Sequence, residues 1–203
     1  MSMMPQDHKP APLMLLMLAA LASPACLRHT EPAKFYQLQP LVTSPQTPAN
    51  LRPAVVGVGP IKLASYLNRP QIVVAEGRNR LQLDEFQRWS EPLQENLTRV
   101  LAENLAHLHP ADHFIIYPWH RSDGPELQLE ARIDRFHTDG SGTSVLDVAW
   151  SISKGDTTVY RKRSNYQARA QAGDTESLVS AQSQLLAAFA REVSNALETL
   201  RRI

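Results

Sequence analysis

The chain has one cysteine in 203 residues, so no disulfide forms within it and stability rests on packing. Charge of neither sign is in excess: 21 Lys and Arg face 20 Asp and Glu, for a formal net charge of +1. No basic stripe stands out, which argues against nucleic acid as a partner. No apolar run reaches the roughly 20 residues that cross a bilayer as a helix. There is no Gly-x-Ser-x-Gly elbow of a serine hydrolase and no Walker A lysine motif. Gly57-Val58-Gly59 is two glycines ahead of Pro60, short of a dinucleotide fingerprint. No internal repeat is present, and no set of residues composes a coherent active site.

The single cysteine, Cys26, follows the apolar stretch Ala11–Ala22 and the small residues Ser23-Pro24-Ala25. His8 and Lys9 give a weakly basic start. This pattern reads as a bacterial lipoprotein signal peptide, removed to leave an acylated Cys26 as the first residue. More than one acyl chain gives stable attachment, at about 0.8 kcal/mol per buried CH₂. The box is atypical, with Ser23 where leucine is usual and Pro24 after it. An ordinary secretory signal cut near Ala25, with Cys26 incidental, is the competing reading. Leu27, which is not Asp, favours the outer membrane by analogy with enteric sorting. Residues 1–25 are thus expected to be a removed signal, 26–34 a lipid-anchored tether, and 35–203 one domain.

Along that domain, Phe35–Gln39 reads as a strand. Residues 40–53, with prolines at 40, 45, 48 and 53, read as an extended surface loop. Ala54–Gly59 reads as a buried strand stopping at Pro60. A turn over 65–70 precedes a hairpin of 71–76 and 80–84. Ser90 is placed to cap a helix with Glu91 and Pro92 in its first turn. Its stripe is Leu93, Leu97, Val100, Leu101, Leu105 and Leu108, ended by Pro110. His113–Tyr117 reads as a strand. Residues 127–134 and 146–152 alternate apolar with polar, as half-buried strands do. Residues 157–170 form a polar strand near an edge. Asp174 or Thr175 then caps a helix whose stripe runs from Leu178 to Leu200. The expected fold is α+β, sandwich-like: a mixed, mostly antiparallel sheet with two long amphipathic helices on one face.

His107-Leu108-His109-Pro110-Ala111-Asp112-His113 superficially matches a metallo-β-lactamase motif, but the spacing fails by one residue and Pro110 interrupts it. A polar helix end is the simpler reading, so neither metal nor cofactor is expected. A hydrolase built on these histidines stands as a rival, with His109 its test. Tyr66, Leu67, Arg69, Pro70, Trp89, Tyr117 and Trp119, with Pro118, are candidate partner or subunit contacts, since Trp, Tyr and Arg concentrate in binding hot spots. Packing at strand ends is the alternative role.

In order along the chain come Val56-Gly57-Val58-Gly59-Pro60-Ile61, Tyr66-Leu67-Asn68-Arg69-Pro70-Gln71-Ile72-Val73, Arg88-Trp89-Ser90-Glu91-Pro92-Leu93, Arg99–Leu105 and Tyr117-Pro118-Trp119. This combination resembles the ABC-type transport auxiliary lipoproteins of the PqiC (paraquat-inducible protein C, YmbA) family over about residues 35–200. The resemblance implies a non-enzymatic outer-membrane component of a lipid-transport system. Its implied partners are an MCE-domain protein that spans the periplasm and an inner-membrane permease. It also implies a homo-oligomeric docking ring. A stand-alone lipid- or small-ligand-binding lipoprotein is the alternative expectation.

Overall fold

The computed structural model describes residues 31–43, 52–120 and 124–202. The apolar run, Cys26 and residues 44–51 of the proline-rich stretch lie outside them. Pro32 onward forms one unit. In chain order come β1 (Lys34–Tyr36), β2 (Val55–Leu63), β3 (Gln71–Glu76), β4 (Arg80–Trp89), α1 (Leu93–Leu108), β5 (His113–Ile116), β6 (Leu127–Asp139), β7 (Thr143–Lys154), β8 (Thr157–Arg169) and α2 (Thr175–Arg202).

The eight strands make one sheet that forks at β6. One edge of β6 pairs with β7 along nearly its whole length. Its other edge is shared: Leu127–Ile133 pair with β2, and Thr138–Asp139 pair with β3. The β2 branch ends in β5, and the β3 branch continues through β4 to β1. β8 closes the far side on β7. The class is α+β, as expected, but four of the seven pairings are parallel: β1–β4, β2–β5, β2–β6 and β3–β6. Alternation ordinarily marks antiparallel strands with one wet face, but β6 alternates while one of its edges pairs in parallel with β2 and β3, so the pattern pointed the wrong way on direction there.

Several boundaries differ from expectation for identifiable reasons. β2 runs through Pro60 to Leu63, because the proline sits where the register with β6 shifts between Val58 and Ile61. A residue without an N–H is tolerated at such a bulge. β4 continues to Trp89, past a second register shift against β3. Ser90 does not cap α1: Pro92 holds that position without a side-chain cap, and the Ser90 amide donates to the Tyr36 carbonyl (2.8 Å). Asp174 does cap α2, its carboxylate accepting the Glu176 amide (3.0 Å). β1 ends at Tyr36. Beyond it, helix side chains take over the backbone: the Leu38 amide donates to Asn96 Oδ1 (2.8 Å), and the Leu41 and Val42 amides donate to Asn104 Oδ1 (both 3.0 Å). Residues 40–43 therefore do not begin a free surface loop; Leu38 and Val42 are buried.

α1 packs on β2 and β5, α2 on β6, β7 and β8, and the helices pack on each other. The predicted stripes are buried: Leu93, Leu97, Val100, Leu101, Leu105 and Leu108 from α1, and Leu185, Phe189, Val193 and Leu197 from α2. Leu129, Ile133, Val148, Trp150 and Ile152 face them. Each such side chain contributes about 1.5–3 kcal/mol by leaving water. Trp150 lies edge-on to Phe189 at 5.7 Å, and its indole N–H donates to Ser164 Oγ (3.1 Å).

Candidate functional site

The expected contact residues divide into two places. Tyr117 amide donates to the Val58 carbonyl (3.0 Å), and Val58 is level with Leu129 of β6. Tyr66 lies further along, its hydroxyl 2.9 Å from His137 Nδ1 and 3.4 Å from the Asp134 carbonyl. With β6 as a ruler at about 3.3 Å per residue, the two places are about 17–26 Å apart. Leu67 and Trp89 are core residues, 1% and 5% exposed, so neither side chain is offered to a partner in this fold. The sequence blocks containing them packed together for structural reasons: the Trp89 amide donates to the Pro70 carbonyl (2.7 Å), tying the turn to the end of β4. Pro70 and Tyr117 are exposed, while Tyr66, Arg69 and Trp119 are half-buried. Among the described residues the Arg69 Nε has no hydrogen-bond partner.

Tyr117 and Trp119 form a ledge at the β2–β5 edge, their rings perpendicular at 5.4 Å. Glycine makes room for it. A Cβ on Gly57 would stand 2.6 Å from Trp119 Cη2 and 2.7 Å from Pro125 Cγ. Gly59 holds φ +116° beneath Tyr117, a conformation that side chains disfavour. The two glycines are thus a seat for the aromatic pair.

The histidine-rich segment sits at the junction of α1 and β5, where His109 makes its contacts inside the fold. Among the described residues no three His, Cys, Asp or Glu side chains stand where they could share an ion. His109 Nε2 lies 2.7 Å from Ser194 Oγ on α2, and His109 Nδ1 lies 3.6 Å from Asp112 Oδ2. The order Ser–His–Asp mimics a hydrolase triad, but His109 and Ser194 are both 0% exposed. Hydroxyl and imidazole are thus both shielded from solvent. The Asp112 carboxylate is already engaged, accepting from Arg201 Nη1 (2.5 Å) and from the Ala54 amide (3.0 Å). Burial holds the His109 imidazole below the ordinary histidine range, so it is neutral at pH 7. The arrangement fastens the end of α2 to the α1–β5 junction and the start of β2.

A further set of residues was not legible in the sequence. On the face turned away from the helices, Lys62, Arg132, Arg161 and Arg163 converge from β2, β6 and β8. At one end of the fold, Pro53, Ala54, Leu127, Val159 and Leu200 line a cleft of about 520 Å³, edged by Arg52, Glu126, Lys154 and Arg201, with Arg52 and Glu126 paired at 3.8 Å. No helix among the described residues is long and apolar enough to cross a membrane.

The forked α+β domain has counterparts among solved structures. One, a crystal structure of an uncharacterized protein, is 17% identical with a TM-score of 0.69, over 82% of this chain and 99% of that one. Another, a Xanthomonas campestris protein of the DUF330 family, is 15% identical with a TM-score of 0.66 over the same 82% and 99%. At such identities the likeness defines the fold. No curated protein matches. The chain belongs to the family of the ABC-type transport auxiliary lipoprotein component, whose model matches residues 36–194.

Proposed function

We propose that this chain is a periplasmic lipoprotein, held on the outer membrane by acyl groups on Cys26, that serves as auxiliary component of an intermembrane lipid-transport system. In this reading it docks the periplasm-spanning MCE-domain protein, whose other end meets an inner-membrane permease, and so helps keep the envelope intact. The observation that carries the reading is the family match, which spans almost the whole described domain. A homo-oligomeric ring is supported by the separation of the Tyr117–Trp119 ledge from the Tyr66–Pro70 turn. A closed ring of identical subunits needs two unlike surfaces on each copy. A role without catalysis is supported by the burial of His109 and Ser194 in the Ser194–His109–Asp112 arrangement.

The alternative, a stand-alone lipid- or small-ligand-binding lipoprotein, is favoured by the cleft of about 520 Å³, whose apolar floor suits the hydrocarbon part of an amphiphile. In-cell crosslinking of the tagged full-length chain separates the two. Capture of an MCE-domain protein together with self-crosslinked multimers supports docking. Copurified lipid on a monomer without a protein partner supports the alternative. Cys26→Ser should release the chain from the membrane fraction; retention there would refute the anchor.

A further inference from the structure

Strands remote in sequence place like charges side by side. Register sets Lys62 of β2 opposite Arg132 of β6, Arg132 opposite Ala149 of β7, and Ala149 opposite Arg163 of β8. In the adjacent row Glu130, Ser151 and Arg161 stand abreast. The residues alternating with these, Ile61, Ile133, Val148, Trp150 and Ser164, are buried, so both rows lie on the face away from the helices. The first row spans three strand spacings, about 14 Å. Ala149 and Ser151 are short, and they floor a groove of about 480 Å³ whose walls include Lys62, Glu130, Arg132 and Arg161.

The charges on this face are only partly compensated. Arg132 and Arg163 share one carboxylate, Asp134. Arg135 pairs with Asp147 and adds no net charge. Glu130 Oε1 accepts from the Gln128 side-chain Nε2 (3.1 Å). Neither Lys62 nor Arg161 has an ion pair among the described residues. Cations directly opposite one another on neighbouring strands are destabilising. Protection of a sheet edge accounts for Arg161 and Arg163 on the edge strand β8 but not for Lys62 and Arg132, which lie on interior strands.

We infer that this open sheet face is a docking surface for an acidic segment of a protein partner. The inference deepens the docking reading and rests on it: the periplasm-spanning MCE-domain protein, here called the conduit protein, would lay Asp and Glu side chains across the row of Lys62, Arg132 and Arg163 and onto Arg161. Guanidinium forks donate to carboxylates in bidentate fashion, Lys62 adds a point charge, and the short Ala149 and Ser151 let a backbone approach the sheet.

The test uses the full-length, membrane-anchored chain in cells, with a photocrosslinking residue in place of Ala149 or, in a parallel strain, of Tyr117. Adducts are digested and their peptides sequenced. The Ala149 position should capture the conduit protein through an Asp- and Glu-rich peptide. The yield should fall at least tenfold in K62E/R161E and less steeply in K62Q/R161Q, with unchanged melting temperatures. Conduit capture from Tyr117 but not from Ala149 would overturn this inference and leave docking standing. Capture from neither, together with failure of the tagged full-length chain to crosslink the conduit protein anywhere, would overturn both. At Ala149, a lipid adduct, a second copy of this chain, a peptide without acidic residues, or a yield unaffected by K62E/R161E would each overturn it.

Discussion

Asp112 is the residue whose removal should cost this domain most for its size. Its side chain is 1% exposed and faces an Arg201 side chain that is 10% exposed. Asp112→Ala strips the partner from a buried guanidinium and the acceptor from the Ala54 amide. Breaking a buried pair by deleting one member costs about 3–5 kcal/mol, because the remaining charge stays out of water. For a domain of this length each kcal/mol lowers the melting temperature by about 2–4 °C, so a fall of about 6–20 °C is expected. The assay is thermal unfolding of the mature chain in detergent, followed by far-ultraviolet circular dichroism. A double-mutant cycle isolates the pair: Asp112→Ala/Arg201→Ala should lose less than the sum of the single variants by about 1 kcal/mol or more. A loss under about 1 kcal/mol for Asp112→Ala, or strict additivity in the cycle, would refute the claim that this pair fastens α2.

Three further outcomes follow from particular contacts. Gly57→Ala forces Trp119 or Pro125 to shift, costing about 1–3 kcal/mol and altering indole fluorescence; an unchanged spectrum and melting point would show the seat to be loose. Asn104→Ala removes the acceptor of two backbone amides and should cost about 1–3 kcal/mol in urea titrations, whereas Asn104→Asp, which keeps an acceptor oxygen, should lose less. Burial holds His109 and His137 below the ordinary histidine value, so the unfolded chain takes up protons first. Their contribution is complete above about pH 6.5 and is lost as pH falls from there toward the depressed folded values. The urea midpoint should therefore drop between pH 7 and pH 5, with a shallower slope in His109→Gln; a flat profile would contradict the burial argument.

What sequence reveals and conceals here divides by range. The helix stripes and the alternation around Trp150 depend on neighbours three, four or two residues away, and both emerge in the core. The Asp174 cap is equally local. The fork at β6 depends on which of two strands takes each half of one edge, and no periodicity encodes that. His109 and Asp112 were visible as a spacing, but their chemistry is decided by Ser194 and Arg201, which lie 85 and 89 residues further on. Asn96 and Asn104 did leave a local trace: they occupy the buried face of α1 among leucines, where an amide needs a partner. Lys62, Arg132, Arg161 and Arg163 left none, because net charge is nearly balanced and only strand order gathers them. Leu67 and Trp89 show the converse, since hot-spot composition and core composition overlap and only the fold separates them.

The strap from Lys34 to Val42 has a mechanical consequence. β1 lies parallel to β4, and the Tyr36 hydroxyl donates to Gln87 Oε1 (2.6 Å). Next, the Leu38 amide is held by α1, the Gln39 amide donates to Ser183 Oγ on α2 (3.1 Å), and α1 takes hold again through Asn104. A load applied to the chain ahead of Pro32 along the β1 axis meets the ladder in shear, with its bonds strained together. It then passes to stitches in two helices. Tension at the amino end is therefore distributed over the sheet and both helices, and the domain is drawn along whole instead of being unzipped from its first strand.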